Sequence, residues 1–155
     1  MHIFVLRHGH AEAEAPTDKQ RPLSLEGIHE IKTIVARCAG ELEKIEQVFV
    51  SPYLRAQQTF QVAREVLPTL CKEDLDLIVP GGNAQMVIDF LTGRQANEQL
   101  SCVLLITHQP FAGTFVDKLC DLETGTYRIG TAGLAAIDAD PVAAGLGVLR
   151  WLKHP

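Results

Sequence analysis

Apolar residues in this chain gather into short runs, and between the runs apolar positions recur every three or four residues. Ile3, Phe4, Val5 and Leu6 make the first run, Val48, Phe49 and Val50 the second, and Cys102 to Ile106 the most strongly apolar one. Uninterrupted runs of this length predict strands buried on both faces, as in the middle of a parallel sheet. Leu75 to Val79 predicts a further strand. Leu134 to Ile137 and Val148 to Leu152, separated by Gly and Pro, predict two closing strands paired as a hairpin.

The intervening stretches predict helices. Ser24 suits an N-cap and Glu26 a first turn, with Leu25, Ile28, Ile31, Val35, Ala39 and Leu42 on one apolar face and Gly40 near its end. Ser51-Pro52 predicts a second start, with Ser as cap and Pro at the first helical position. Arg55 then falls in the first turn of a helix running through Phe60 and Ala63 to Pro68. Pro80-Gly81-Gly82 reads as a turn and Asn83 as the cap of a helix ending at Gly93, followed by a polar loop over 94–101. Gln109-Pro110 opens the last helix. Residues 11–22 and 124–133 read as loops, and the first is long enough for a compact domain to suggest that it borders a site.

Strands alternating with helices predict an α/β three-layer sandwich, a mainly parallel central sheet flanked by helices on both faces, in a single domain over 1–155. At 155 residues such a chain buries roughly two thirds of its unfolded surface. With 46% hydrophobic and 21% charged residues, the composition is that of a globular protein rather than a disordered one. A net charge of −5 without a polybasic run argues against a nucleic-acid binder but leaves room for a small basic pocket. No stretch approaches the ~18 apolar residues of a membrane helix, and no signal-peptide pattern opens the chain, so a cytoplasmic protein off the membrane is expected. Cys38, Cys71, Cys102 and Cys120 show neither C-x-x-C nor zinc-type spacing to histidine, which predicts reduced thiols, three of them small core residues.

What changes the picture is the chemistry released where strands end. Arg7-His8 follows the first, Arg55 the second, and Thr107-His108 the strand from Cys102. Ligands of open α/β sheets bind at such carboxyl ends. Two arginines, two histidines and inward-pointing helix N-termini suit a dianionic tetrahedral group: guanidinium forks match its oxygens and helix dipoles add positive potential. Histidine in such a pocket can attack phosphorus through one ring nitrogen, provided the other is held as a donor. A metal reading of His8-x-His10, as in amidohydrolase barrels, would need about 250 residues for eight strand–helix units. His10 is expected at the pocket rim, Phe49, Phe60 and Phe90 in the core, and Phe111 close enough to touch substrate.

Leu6-Arg7-His8-Gly9, Ser51-Pro52-Tyr53-Leu54-Arg55-Ala56-Gln57-Gln58-Thr59 and Thr107-His108-Gln109-Pro110 resemble the three motifs of the histidine phosphatase superfamily. In length and in Arg21-Pro22-Leu23-Ser24-x-x-Gly27 the chain is most similar to the smallest branch, the SixA-type phosphohistidine phosphatases. The resemblance implies a phosphoglycerate mutase-like fold in its small form, without an inserted lid subdomain. It further implies His8 as a transiently phosphorylated nucleophile, Arg7, Arg55 and His108 as phosphoryl ligands, no metal or cofactor, and histidine phosphotransfer domains of phosphorelay proteins as substrate. Arg21 is a candidate substrate contact, with a salt bridge to Asp18 or Glu26 as the plainer reading. A monomer is expected.

One departure bears on the leaving group. Larger members of the superfamily carry a general-acid carboxylate after the third strand, where this chain reads Pro80-Gly81-Gly82-Asn83, with no acid until Asp89. An alkoxide needs that proton; an imidazole, whose conjugate acid has a pKa of about 6.5, leaves already protonated on its other nitrogen. Phosphohistidine is favoured unless Glu12, Glu14 or Asp18 supplies the proton. The alternatives are a phosphatase of small phosphate esters and a non-catalytic module that binds phosphorylated ligands.

Overall fold

The computed structural model describes residues 1–155. Its elements, in chain order, are β1 (His2–Arg7), α1 (Leu25–Arg37), α2 (Ala39–Leu42), β2 (Gln47–Val50), α3 (Leu54–Val66), β3 (Lys72–Asp74), α4 (Ala84–Glu98), β4 (Cys102–Thr107), α5 (Phe111–Leu119), β5 (Leu134–Ala139) and β6 (Gly147–Lys153). Short 3₁₀ turns lie at Asp18–Gln20 and Asp76–Ile78. The six strands form one sheet in the order β3-β2-β4-β1-β5-β6, with the first four parallel and the closing hairpin antiparallel. This is the mainly parallel, three-layer α/β arrangement expected, in its small form.

The apolar runs lie where both faces of the sheet are covered, and the side-chain period of two divides them. Phe4, Leu6, Val48, Val50, Leu104 and Ile106 pack with residues of α1 and α3, including Ile31, Val35 and Phe60. Ile3, Val5, Phe49, Val103 and Leu105 pack on the other face with Val87, Leu91, Phe115 and Val116 of α4 and α5. No helix is long and apolar enough to cross a membrane. All four cysteines are free; Cys38 and Cys102 are buried, whereas Cys71 is exposed.

Several boundaries differ from the sequence reading. Strand β3 is Lys72–Asp74 rather than 75–79: it is an edge strand with mostly exposed residues, while Leu75 and Ile78 turn under the sheet into the core. Helix α4 passes through Gly93 to Glu98, where Arg94 bridges Glu73 and Glu98, and it ends on Gln99 with a left-handed φ of 55°. The first helix breaks at Cys38, so Gly40 lies inside α2, and Leu25, counted on its apolar face, is 86% exposed.

Candidate active site

Register brings the motif residues to one level. Leu6 pairs with Ile106 and Arg7 with Thr107 across β1 and β4, and Val50 pairs with Ile106 across β2 and β4. The ladders continue one residue further: His8 N–H donates to the Thr107 carbonyl and Ser51 N–H to the Ile106 carbonyl, each at 3.0 Å. His8, His108 and Ser51 therefore leave the sheet together, and Arg55 reaches them from the first turn of α3. The cleft above, about 320 Å³, is lined by Arg7, His8, Asp18, Arg21, Arg55 and Gln109, among others.

Of the five residues expected there, Arg7, His8, Arg55 and His108 form one cluster. Arg55 Nε donates to His8 Nε2 at 3.1 Å, and the two imidazole rings lie 5.0 Å apart. Tyr53 packs against both later members, with its ring 4.9 Å from His108 and 5.0 Å beneath the Arg55 guanidinium. Arg7 donates to the Ile129 carbonyl at 2.9 Å, while its Nε is buried without a partner. Arg21 lines the cleft and also makes the salt bridge to Asp18, at 3.2 Å.

The imidazoles are held neutral. His8 Nδ1 lies 2.7 Å from the Gly9 carbonyl, which can only accept, so the proton is on Nδ1 and the lone pair on Nε2. Burial pushes the His8 pKa down to about 4; the Gly9 carbonyl opposes this, and Arg55, Arg7 and Arg21 add to it. His108 is pushed down to about 2, by burial first and then by His8 and Arg55. Its Nε2 lies 2.7 Å from Ser51 Oγ, and its Nδ1 is buried without a partner. The cluster thus combines a neutral imidazole whose Nε2 lone pair accepts only from Arg55, two guanidinium ions at the cleft, and buried polar atoms on Arg7 and His108 that lack partners, a donor-rich set that suits a tetrahedral oxyanion.

The loop over 11–22 closes the cleft from one side. A bridge between Ala11 and Leu23 joins its ends, and Glu12 N–H donates to the Pro22 carbonyl. Arg21 donates through Nε to the Glu12 carbonyl at 2.7 Å. Asp18 accepts from Arg55 through both its carbonyl, at 2.6 Å, and its carboxylate, at 3.0 Å. The Arg55 guanidinium, and after it Arg21, holds the Asp18 carboxyl below the usual carboxylate range, so it stands as an anion rather than a proton donor. Below the loop, Gly9 and Gly27 bring two backbones together: a Cβ on Gly27 would lie 2.1 Å from the His10 carbonyl oxygen. That approach gives the Gly27 of the Arg21-Pro22-Leu23-Ser24-x-x-Gly27 segment its physical reason.

Several contributors escaped the sequence reading. Ser51 does not cap α3; the cap residue is Tyr53, because the Ser51 N–H extends the ladder and its hydroxyl meets His108. Glu30 ties two loops at the cleft, accepting from the His10 N–H and the Thr131 hydroxyl. Phe111 touches no substrate space: it is 2% exposed and stacks on Phe115 in the core. His10 lies at the rim as expected, with Nδ1 on the Ser24 hydroxyl.

Comparison with known proteins gives the same outline. Residues 3–78 match the model of the histidine phosphatase superfamily (branch 1). The phosphohistidine phosphatase SixA of Escherichia coli is 34% identical, over all of this chain and 94% of that protein. A SixA homolog of Haemophilus influenzae is 31% identical, over 77% of each chain. The solved structure of the protein histidine phosphatase SixA complexed with tungstate superposes with a TM-score of 0.90, covering 100% of this chain and 97% of that one.

Proposed function

The chain belongs to the histidine phosphatase superfamily, and on that premise we propose that it is a protein phosphohistidine phosphatase acting through His8. The observation that carries this reading is the neutral His8 imidazole, its Nδ1 proton on the Gly9 carbonyl and its Nε2 beside Arg55, at the floor of a cationic cleft. The likeness to a SixA structure holding tungstate, a tetrahedral oxyanion, supports the same use of the cleft.

In the first step the His8 Nε2 lone pair attacks phosphorus while the substrate's N–P bond breaks. The substrate ring enters protonated on its other nitrogen, so when the bonding electrons go to the departing nitrogen the imidazole leaves neutral. Arg7 and Arg55 bind the phosphoryl oxygens, and His108 donates through Nδ1 when the Ser51 hydroxyl donates to its Nε2. In the second step water attacks the phosphoryl group on His8, the imidazole is expelled neutral with its Nδ1–H still donating to the Gly9 carbonyl, and both water protons leave on dihydrogen phosphate. No metal or cofactor takes part, and no acid is required, in keeping with the ionised Asp18.

The phosphohistidine belongs to a signalling protein such as a histidine phosphotransfer domain of a phosphorelay. The enzyme works as a single-domain monomer in the cytoplasm, and Arg21 adds a contact at the cleft edge. Incubation with a phosphorylated histidine-containing domain should remove its label at least ~10³-fold faster than with His8→Ala. Acid-labile phosphate should appear transiently on His8. Equal rates with the two proteins would remove this reading, and a higher kcat/KM on phosphate monoesters would replace the substrate.

A further inference from the structure

We propose that Asp18 is an internal competitor for the phosphoryl group, a carboxylate that occupies Arg55 until a phosphoryl oxygen displaces it. This rests on the reading of the cleft as a phosphoryl site and goes one step beyond it.

Three observations carry it. All three nitrogens of the Arg55 guanidinium are engaged: Nε donates to His8 Nε2, and both terminal nitrogens donate to residue 18. The edge formed by those two nitrogens is the one that matches two oxygens of a tetrahedral oxyanion. The partners also differ in how they are fixed. The Arg55 side chain is 5% exposed on a helix, whereas that of Asp18 is 56% exposed on a three-residue turn. The Asp18 end of the pair remains open to water, so a dianion arriving from the cleft can compete for the same guanidinium edge without first desolvating a buried carboxylate. Finally, the loop is held without this contact, by the Ala11–Leu23 bridge and by Arg21 on the Glu12 carbonyl, so Asp18 can let go while both ends of the loop stay in place.

Asp18 is therefore a positioning residue acting through Arg55. It keeps the guanidinium aligned on His8 when no phosphoryl group is bound, weakens the hold on product phosphate, and returns as phosphate leaves. Phosphoryl occupancy is thereby linked to the position of the turn at Asp18–Gln20, on the rim that a protein substrate must approach.

The test is the inhibition constant of inorganic phosphate in wild type, Asp18→Asn, Asp18→Ala and, as a control, Glu12→Gln, whose carboxylate makes no ion pair in the structure. Both Asp18 variants should bind phosphate about three- to ten-fold more tightly, and KM for the phosphohistidine protein should fall in parallel without a rise in kcat. Glu12→Gln should stay within about 1.5-fold of wild type. Unchanged or weaker phosphate binding in the Asp18 variants overturns the proposal, since Asp18 would then only align Arg55. An equal gain in Glu12→Gln also overturns it, because a general loss of negative charge would suffice. If wild type itself binds no phosphate while still turning over phosphohistidine, competition fails and the proposed function stands; if it does neither, both fail together.

Discussion

Arg55 and Arg21 face the same cleft and bond to the same aspartate, yet they are fixed in different ways. Arg55 rises from the first turn of a helix that follows a central strand, with its side chain 5% exposed and a hydrogen bond to His8. Arg21 sits at the end of a loop with its side chain 33% exposed, and every hydrogen bond it makes stays within that loop. The deep half of the cleft is set by strand register and core packing; the shallow half is set by a few hydrogen bonds that water can contest. The proposed chemistry thus falls where rearrangement is costly, and adjustment where it is cheap.

The difference can be broken most severely where the halves join. Gly27→Ala would drive a methyl group into the His10 backbone, in the loop that follows His8. A loss of about 1–3 kcal/mol in stability is expected, and about 10²-fold in kcat through displacement of His8, checked by urea melts and turnover on a phosphohistidine protein. Within the deep half, Ser51→Ala leaves His108 Nε2 buried and unpartnered. It should lower kcat/KM at least ~10-fold and destabilise by about 1–3 kcal/mol, read from steady-state kinetics and urea melts.

Acid sharpens the comparison. An ordinary imidazole is roughly nine-tenths protonated at pH 5.5, whereas His8, with a pKa of about 4, stays neutral there. NMR titration of the ring should find no protonation above about pH 5; a midpoint near 6.5 would contradict the geometry. The stability consequence has a definite sign. Because the folded-state pKa values of His8 and His108 lie below 6.5, the unfolded chain takes up more protons as pH falls, so stability is full above that value and declines below it. The smallest effect belongs to the shallow half: Arg21→Ala should change kcat less than about three-fold and raise KM by a similar factor, read from steady-state kinetics.

Much of this molecule is legible in its residues because the central strands are buried on both faces and announce themselves as apolar runs; of the four candidate residues Arg7, His8 and His108 lie at the ends of those runs, and Arg55 lies in the helix turn that follows one. What stayed hidden has physical reasons. Strand β3 lies at the edge and carries Lys72, Glu73 and Asp74, so no apolar pattern marks it. Ser51 has the local context of a helix cap, and only the β2–β4 register reveals that its hydroxyl belongs to His108, 57 residues away. The bond between Asp18 and Arg55 spans 37 residues and depends on the turn of a loop with no periodicity. Phe111 adjoins a motif, yet its position in the first turn of α5 directs it into the core.

The Ala11–Leu23 bridge makes the segment between its two ends a cassette. Its closure points are fixed beside the cleft that holds His8, and doubling the length of a flexible loop costs only about 0.6 kcal/mol in closure entropy. Longer or differently charged segments grafted between Ala11 and Leu23 can therefore change which surface this phosphatase accepts while leaving the strand ends that carry Arg7, His8 and His108 in place.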